Sequence, residues 1–230
     1  NILQRLYAQH QIRRKVVRMV KIPPPGKAHD YERLREMACK RLQAAVDKGI
    51  KVVFVDEVAF TKKTIQTRDY SNKYQNLKLN ESNVNTDYFT AVASISAVGC
   101  VEHLLINKGA IDGNSYGRFL RQLRVKSGTD RIVIFQDNLN VHKTQANKQL
   151  YIDLDFEVIW NVPYSPEYNP IENVFSVVKS HYKKKRLNLI ANDMPVAERA
   201  LIRESFNRVK ADDVKRFIRR CMHIIGVSLK

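Results

Sequence analysis

Cysteine is scarce in this 230-residue chain, and acids are outnumbered by bases. Cys39, Cys100 and Cys221 stand far apart and never as a CxxC pair, which excludes a cysteine zinc motif and suits reduced thiols inside a cell. No apolar run approaches the roughly 18 residues that a membrane span needs, and no signal peptide is visible. A Gly-rich phosphate loop and a Ser-His-Asp elbow are both missing, so neither chemistry competes for the site. The sequence begins with Asn1 rather than Met, so it is expected to be a fragment or trimmed product.

Against 23 Asp and Glu stand 40 Lys and Arg, a formal net charge of +17. The bases are spread through structured-looking segments rather than gathered in a tail. A polyanionic partner is the leading inference, with nucleic acid ahead of an anionic membrane surface and no membrane partner expected. The bland alternative is a soluble basic protein. A hydrophobic share of 44% at this length suits one ample folded domain, with room for a small appendage.

Residues 1–20 show helical spacing and a basic cluster at Arg13, Arg14, Lys15, Arg18 and Lys21, as in the tail of a helix-turn-helix module or an ordinary solvated helix. Pro23-Pro24-Pro25-Gly26 is the clearest linker, and the reading divides the chain there. Residues 1–25 are expected to be the remnant of a DNA-binding region with its linker, and 26–230 the catalytic domain with C-terminal helices.

His29–Lys48 reads as an amphipathic helix, followed by a buried strand at Lys51–Val55 that ends in Asp56-Glu57. Thr61–Asp87 is polar and basic, with room for a strand at Thr64–Tyr70. A hairpin is predicted over Tyr88–Val98 and Val101–Asn107, then a helix over Ser115–Val125 capped near Asp112 or Asn114. A second buried strand, Arg131–Gln136, also ends in an acid, Asp137. A helix over His142–Leu154 and a strand over Phe156–Val162 follow, and helices at Pro195–Arg208 and Ala211–Ile225 close the chain. The alternation gives a mixed α/β domain with one central sheet.

The organising stretch is Val162–Lys179, where Pro163, Pro166 and Pro170 punctuate a loop that leads into a helix. Asn169 suits the N-cap, with Glu172 at the capping-box position. Asp56, Asp137 and Glu172 would repel one another if they converged, unless a cation sat among them. Magnesium is the ready solution, and two such ions can drive an in-line displacement at a phosphodiester. Alternation along the strand means that Asp56 and Glu57 cannot both serve the site, and Glu57 is the alternative ligand.

VFVDE, VIFQDNLNVH and YSPEYNPIENVF together resemble the acidic signatures of the mariner-type superfamily of DDE/D transposases, with 34 residues between Asp137 and Glu172. The resemblance spans roughly 51–186. It implies an RNase H-like fold, a central mixed five-stranded sheet flanked by helices. Asp56, Asp137 and Glu172 would be both the catalytic residues and the ligands of Mg2+ or Mn2+, as two ions in the family's scheme. The implied function is DNA transposition: metal-dependent cleavage at transposon ends, then 3′-OH strand transfer into target DNA. The implied partners are double-stranded DNA and a second copy of the chain, paired through an insertion within Thr61–Asp87. A nuclear location is expected in a eukaryote, and cytoplasm or nucleoid in a bacterium. Glu167-Tyr168 and Val174-Phe175 depart from the usual family residues without changing the chemistry.

Around the triad, Lys179, Lys183, Arg186 and His142 are read as DNA contacts, and Asn138 and Asn173 as donors that orient the carboxylates. For Asn169 the cap role is preferred. Two alternatives stay open: a domesticated DNA-binding protein without catalysis, and an RNase H-like nuclease without strand transfer.

Overall fold

The computed structural model describes residues 28–65, 87–99 and 101–229, together with Arg5, Leu6, Gln9 and His10. The expected helix-turn-helix remnant, the insertion and all but the first two residues of the expected strand Thr64–Tyr70 lie outside the described residues. So does Cys100.

Helix α1 (Ala28–Asp47) buries Ala38, Leu42 and Ala45 on one stripe and gives way to Gly49, whose φ of +66° turns the chain into the sheet. Strand β1 (Lys51–Phe60) is longer than its β-branched core suggests, because its second half pairs with β2 (Phe89–Ser96) as far as Phe60–Phe89. Strand β3 (Val101–Lys108) completes the hairpin, and α2 (Gly113–Ser127) follows. The Asp112 side chain caps α2, accepting the Ser115 N–H at 2.7 Å.

Strand β4 (Ile132–Gln136) leads through a short 3-10 turn over Asn140–Lys143 to α3 (Gln145–Asp153), which Thr144 caps. His142 therefore sits before the helix in which the sequence placed it. Strand β5 (Phe156–Trp160), a second 3-10 turn at Pro166–Tyr168, α4 (Ile171–Ala191), α5 (Glu198–Asn207) and α6 (Ala211–Ile225) complete the chain.

The five strands lie in the order β3-β2-β1-β4-β5, with antiparallel pairing on the β2 and β3 side and parallel pairing on the β4 and β5 side. This is the mixed five-stranded sheet that the sequence predicted. Each face is covered. Phe54, Val58, Phe60, Val133 and Phe135 pack with the buried stripes of α1, α4, α5 and α6. Val53, Val55, Ile132 and Ile134 pack with α2 and α3 on the other side. Burying each large apolar side chain fully contributes about 2 kcal/mol, so doubly covered β1 is the rigid centre. Among the described residues no helix is long and apolar enough to cross a membrane.

Candidate active site

The sheet register brings the first two acids together. β1 and β4 pair in parallel from Lys51–Ile132 to Phe54–Phe135, and the same register carried two residues further sets Asp56 beside Asp137. Neighbouring strands lie about 4.8 Å apart. Alternation decides the face: Asp56 follows Phe54, and Asp137 follows Val133 and Phe135, all on the side covered by α4. Glu172 is the second residue of α4, which starts behind Pro170 at φ −64°.

Asn169 ties the helix start to the strand. Its side-chain amide donates to the Val55 carbonyl at 3.2 Å and to Asp56 Oδ2 at 3.3 Å. Asp56 Oδ1 accepts the Glu57 N–H at 2.8 Å. The cap role preferred from sequence is secondary: Asn169 Oδ1 reaches the Ile171 N–H only at 3.5 Å. Asn169 is the residue that orients Asp56.

The three carboxylates act on one another. Burial pushes Asp56 well above the usual carboxylate range, and the charges of Glu172, Glu57 and Asp137 push it further, against a smaller opposite pull from the Glu57 N–H. Glu172 is also raised by burial and by Asp137, while the Lys179 ammonium pulls it down. Hard oxygen donors with this surplus of negative charge suit a divalent cation, which would relieve the repulsion that raises Asp56. Asp56, Asp137 and Glu172 are the candidates to hold it.

Glu57 faces the other way. Its Oε1 lies 2.6 Å from His142 Nε2, and His142 Nδ1 lies 3.0 Å from Asp137 Oδ1. One ligand atom from each of these three residues falls within 4.8 Å of the others, spacing that a metal could use. Hydrogen bonding accounts for it better. Burial alone would lower the imidazole, but the bonds from Asp137 and Glu57 outweigh it and carry His142 up to about 9. A protonated ring with both nitrogens donating has no lone pair for a metal. The Tyr116 ring lies 4.3 Å from it, and Tyr116 OH, Gln136, Tyr151 OH and the His142 carbonyl form a buried hydrogen-bonded chain.

The structure corrects several expectations about the surrounding residues. His142 is fully buried and cannot touch DNA. Arg186 is also buried, pairing through Nε with Glu198 at 3.0 Å and through a guanidinium N–H with the Lys62 carbonyl at 3.4 Å. A phosphate has no path to it. Asn138 binds the Asn161 carbonyl and the Lys143 ammonium instead of a carboxylate. Asn173 turns toward Cys221 Sγ, 3.9 Å away. Lys179 and Lys183 are half-buried, and Lys179 is near enough to Glu172 to act on its charge.

Sequence reasoning missed the Glu57–His142 pair and the cluster in which Tyr182 and Arg186 both bind Glu198. One signal was available: an acid at the end of a buried strand requires a partner.

Residues 51–194 match the family described as DDE superfamily endonuclease. No curated protein sequence matches the chain. Among solved structures, the Mos1 mariner paired end complex with Mn is similar at TM-score 0.68 and 16% identity, over 98% of this chain and 68% of that one. The Mos1 strand transfer complex matches at TM-score 0.61 and 15% identity, over 98% and 67%. The catalytic domain of Mos1 mariner transposase matches at TM-score 0.55 and 15% identity, over 91% of this chain and the whole of that one. At these identities the likeness is one of fold. The family match covers more than half of the sequence, together with both strand-end acids and the helix that carries Glu172: the chain belongs to the DDE superfamily endonuclease family.

Proposed function

We propose that the chain is the catalytic part of a mariner-type DNA transposase, which cleaves at transposon ends and joins the freed 3′-OH to target DNA. The observation that carries this reading is the sheet register that sets Asp56 beside Asp137, on the face covered by the helix that carries Glu172 in its first turn. The similar Mos1 structures include paired end complexes with Mn and with Mg and a strand transfer complex. By likeness to them, this chain would act on paired DNA ends as a homodimer, with residues 1–25 as the remnant of an end-recognition region.

Asp56, Asp137 and Glu172 would hold two Mg2+ or Mn2+ ions, whose charge would favour in-line displacement at a phosphodiester. The chain's own residues set that arrangement. Asn169 fixes the rotamer of Asp56, which leaves its carboxylate aimed from the strand toward α4. His142 grips one oxygen of Asp137 from behind and leaves the other for the site. Lys179, beside Glu172, is placed to bind a phosphate oxygen, with Lys183 one helical turn further on.

Incubation with labelled DNA ends in Mg2+ or Mn2+, comparing wild type with Asp137→Asn, tests the reading. A metal-dependent nick followed by a joined product, both lost in the variant, is the expected result. Hydrolysis without joining would make the protein a nuclease. Binding without any metal-dependent product would make it a domesticated DNA-binding remnant.

A further inference from the structure

Helix α6 divides its residues sharply. Val214, Ile218, Cys221, Met222 and Ile225 are buried in the core, while Lys215, Arg216, Arg219, Arg220 and His223 are exposed at positions that share one face. Arg216 pairs with Asp213 at 2.7 Å. Lys215, Arg219 and Arg220 have no ion-pair partner among the described residues. Some exposed bases elsewhere do find acids, as in Arg41–Glu157 and Lys185–Glu204. The helix dipole favours cations only within the last turn, so it accounts for His223 and not for the turns before it. Acids stand only in the first turn, as Asp212 and Asp213, and from Lys215 onward every exposed ionisable side chain of the helix is basic.

The helix is also held firmly, and its buried side reaches the start of α4. At its start, α6 lies so close to the β2–β3 turn that a Cβ on Gly99 would meet the Ala211 carbonyl at 2.8 Å. Toward its end, Cys221 meets Asn173, the neighbour of Glu172, and the charge of Glu167 is felt at the Cys221 thiol. Arg35 of α1 donates to the Ile224 carbonyl at 3.2 Å while its guanidinium lies 5.6 Å from the centre of the Tyr168 ring, in the turn before α4. The second half of α6 therefore borders the loop that leads to Glu172.

We infer that the exposed face of α6, centred on Arg219 and Arg220, is a track for the phosphate backbone of duplex DNA. It contacts the backbone without reading sequence. The inference rests on the DNA-processing reading above and deepens it by assigning a second surface to the same substrate. Charge complementarity selects the partner: a row of unpaired cations at one-turn spacing on a rigid helix fits a line of phosphates.

The test is the salt dependence of binding between the full 230-residue chain and a labelled duplex of arbitrary sequence. Three variants are compared with wild type: Arg219→Ala/Arg220→Ala, Arg219→Lys/Arg220→Lys, and Arg121→Ala/Lys126→Ala on α2. The last pair lies across the sheet and removes the same net charge. The α6 alanine pair is expected to flatten the slope of log affinity against log salt by about 1.8 units, from two lost phosphate contacts. The lysine pair should keep the wild-type slope, and the α2 pair should leave it nearly unchanged. If wild type binds with a steep slope and the α6 alanine pair matches it, the track is overturned and the transposase reading stands. Equal flattening by the α2 pair overturns the track as well, because bulk charge then explains the effect. If wild type does not bind duplex at all, both readings fall.

Discussion

The Nδ1 atom of His142 lies 3.0 Å from Asp137 Oδ1, although no part of the ring is exposed. A buried imidazole therefore fixes the orientation of an acid at the rim of the site, and Glu57 fixes the imidazole from the other side. Removing the ring leaves Glu57 as a nearly buried carboxylate with no counter-charge. His142→Ala is expected to lose about 3 kcal/mol of stability in urea unfolding. A loss below about 0.5 kcal/mol, the range of an ordinary surface substitution, would show that the pair contributes little.

The same pair sets a pH limit. His142 titrates at about 9 in the folded chain, above the 6.5 of a free imidazole. A raised imidazole contributes stability that is fully present below about pH 6.5 and is lost as pH rises through about 9. Urea midpoints measured across that window should fall toward the alkaline end, and Glu57→Gln should make the fall shallower. An unchanged alkaline limb in Glu57→Gln would remove Glu57 as a cause.

Asp56 makes the opposite contribution. Burial and three neighbouring acids hold its carboxyl above the usual range, so the charged form costs stability at neutral pH when no cation is bound. Asp56→Asn is expected to raise the cation-free melting temperature while abolishing cleavage. In wild type, protons compete with cations at this group, so the melting-temperature gain from Mg2+ or Mn2+ should grow as pH rises through the titration of this raised carboxyl, and vanish in the variant. A gain independent of pH would place the cation away from Asp56.

Arg186 is a structural cation. It sits with Glu198 in a pocket at the root of the segment after β1, where it also holds the Lys62 carbonyl. Arg186→Ala strands Glu198 and should cost about 3 to 5 kcal/mol. At a temperature where the variant stays folded, the salt slope of DNA binding should match wild type. A flattened slope would restore Arg186 as a DNA contact.

Asn169→Ala frees the Asp56 rotamer and leaves the Val55 carbonyl without its donor. Residues that support a ligand in this way typically cost about tenfold to a hundredfold in activity. Cleavage rates should fall by that much while duplex affinity stays the same. Equal rates would reduce Asn169 to a loop residue.

Much of this was legible because its causes are local. Apolar runs marked β1 and β4, and prolines marked the entry to α4. The cap of α2 was narrowed to Asp112 or Asn114, and the structure selects Asp112. What could not be read depends on partners far along the chain. Asn169 looked like a helix cap because its local neighbours fit one, whereas its decisive contact, Asp56, lies 113 residues away. His142 and Arg186 looked like phosphate ligands because each is a base near a motif, yet Glu57 is 85 residues from one. The length of β1 was underestimated because Asp56-Glu57 interrupt its apolar run, while pairing with β2 carries the strand on to Phe60.

The unequal lengths of β1 and β4 have one more consequence. Where β4 withdraws after Gln136, the flank of β1 is left as a terrace, and the Val55 carbonyl that a longer β4 could have claimed turns to Asn169 instead. Two further ladder-forming residues on β4 would compete with Asn169 for that carbonyl. The hold of Asn169 on Asp56 is thus a product of strand length, possible because one strand stops early.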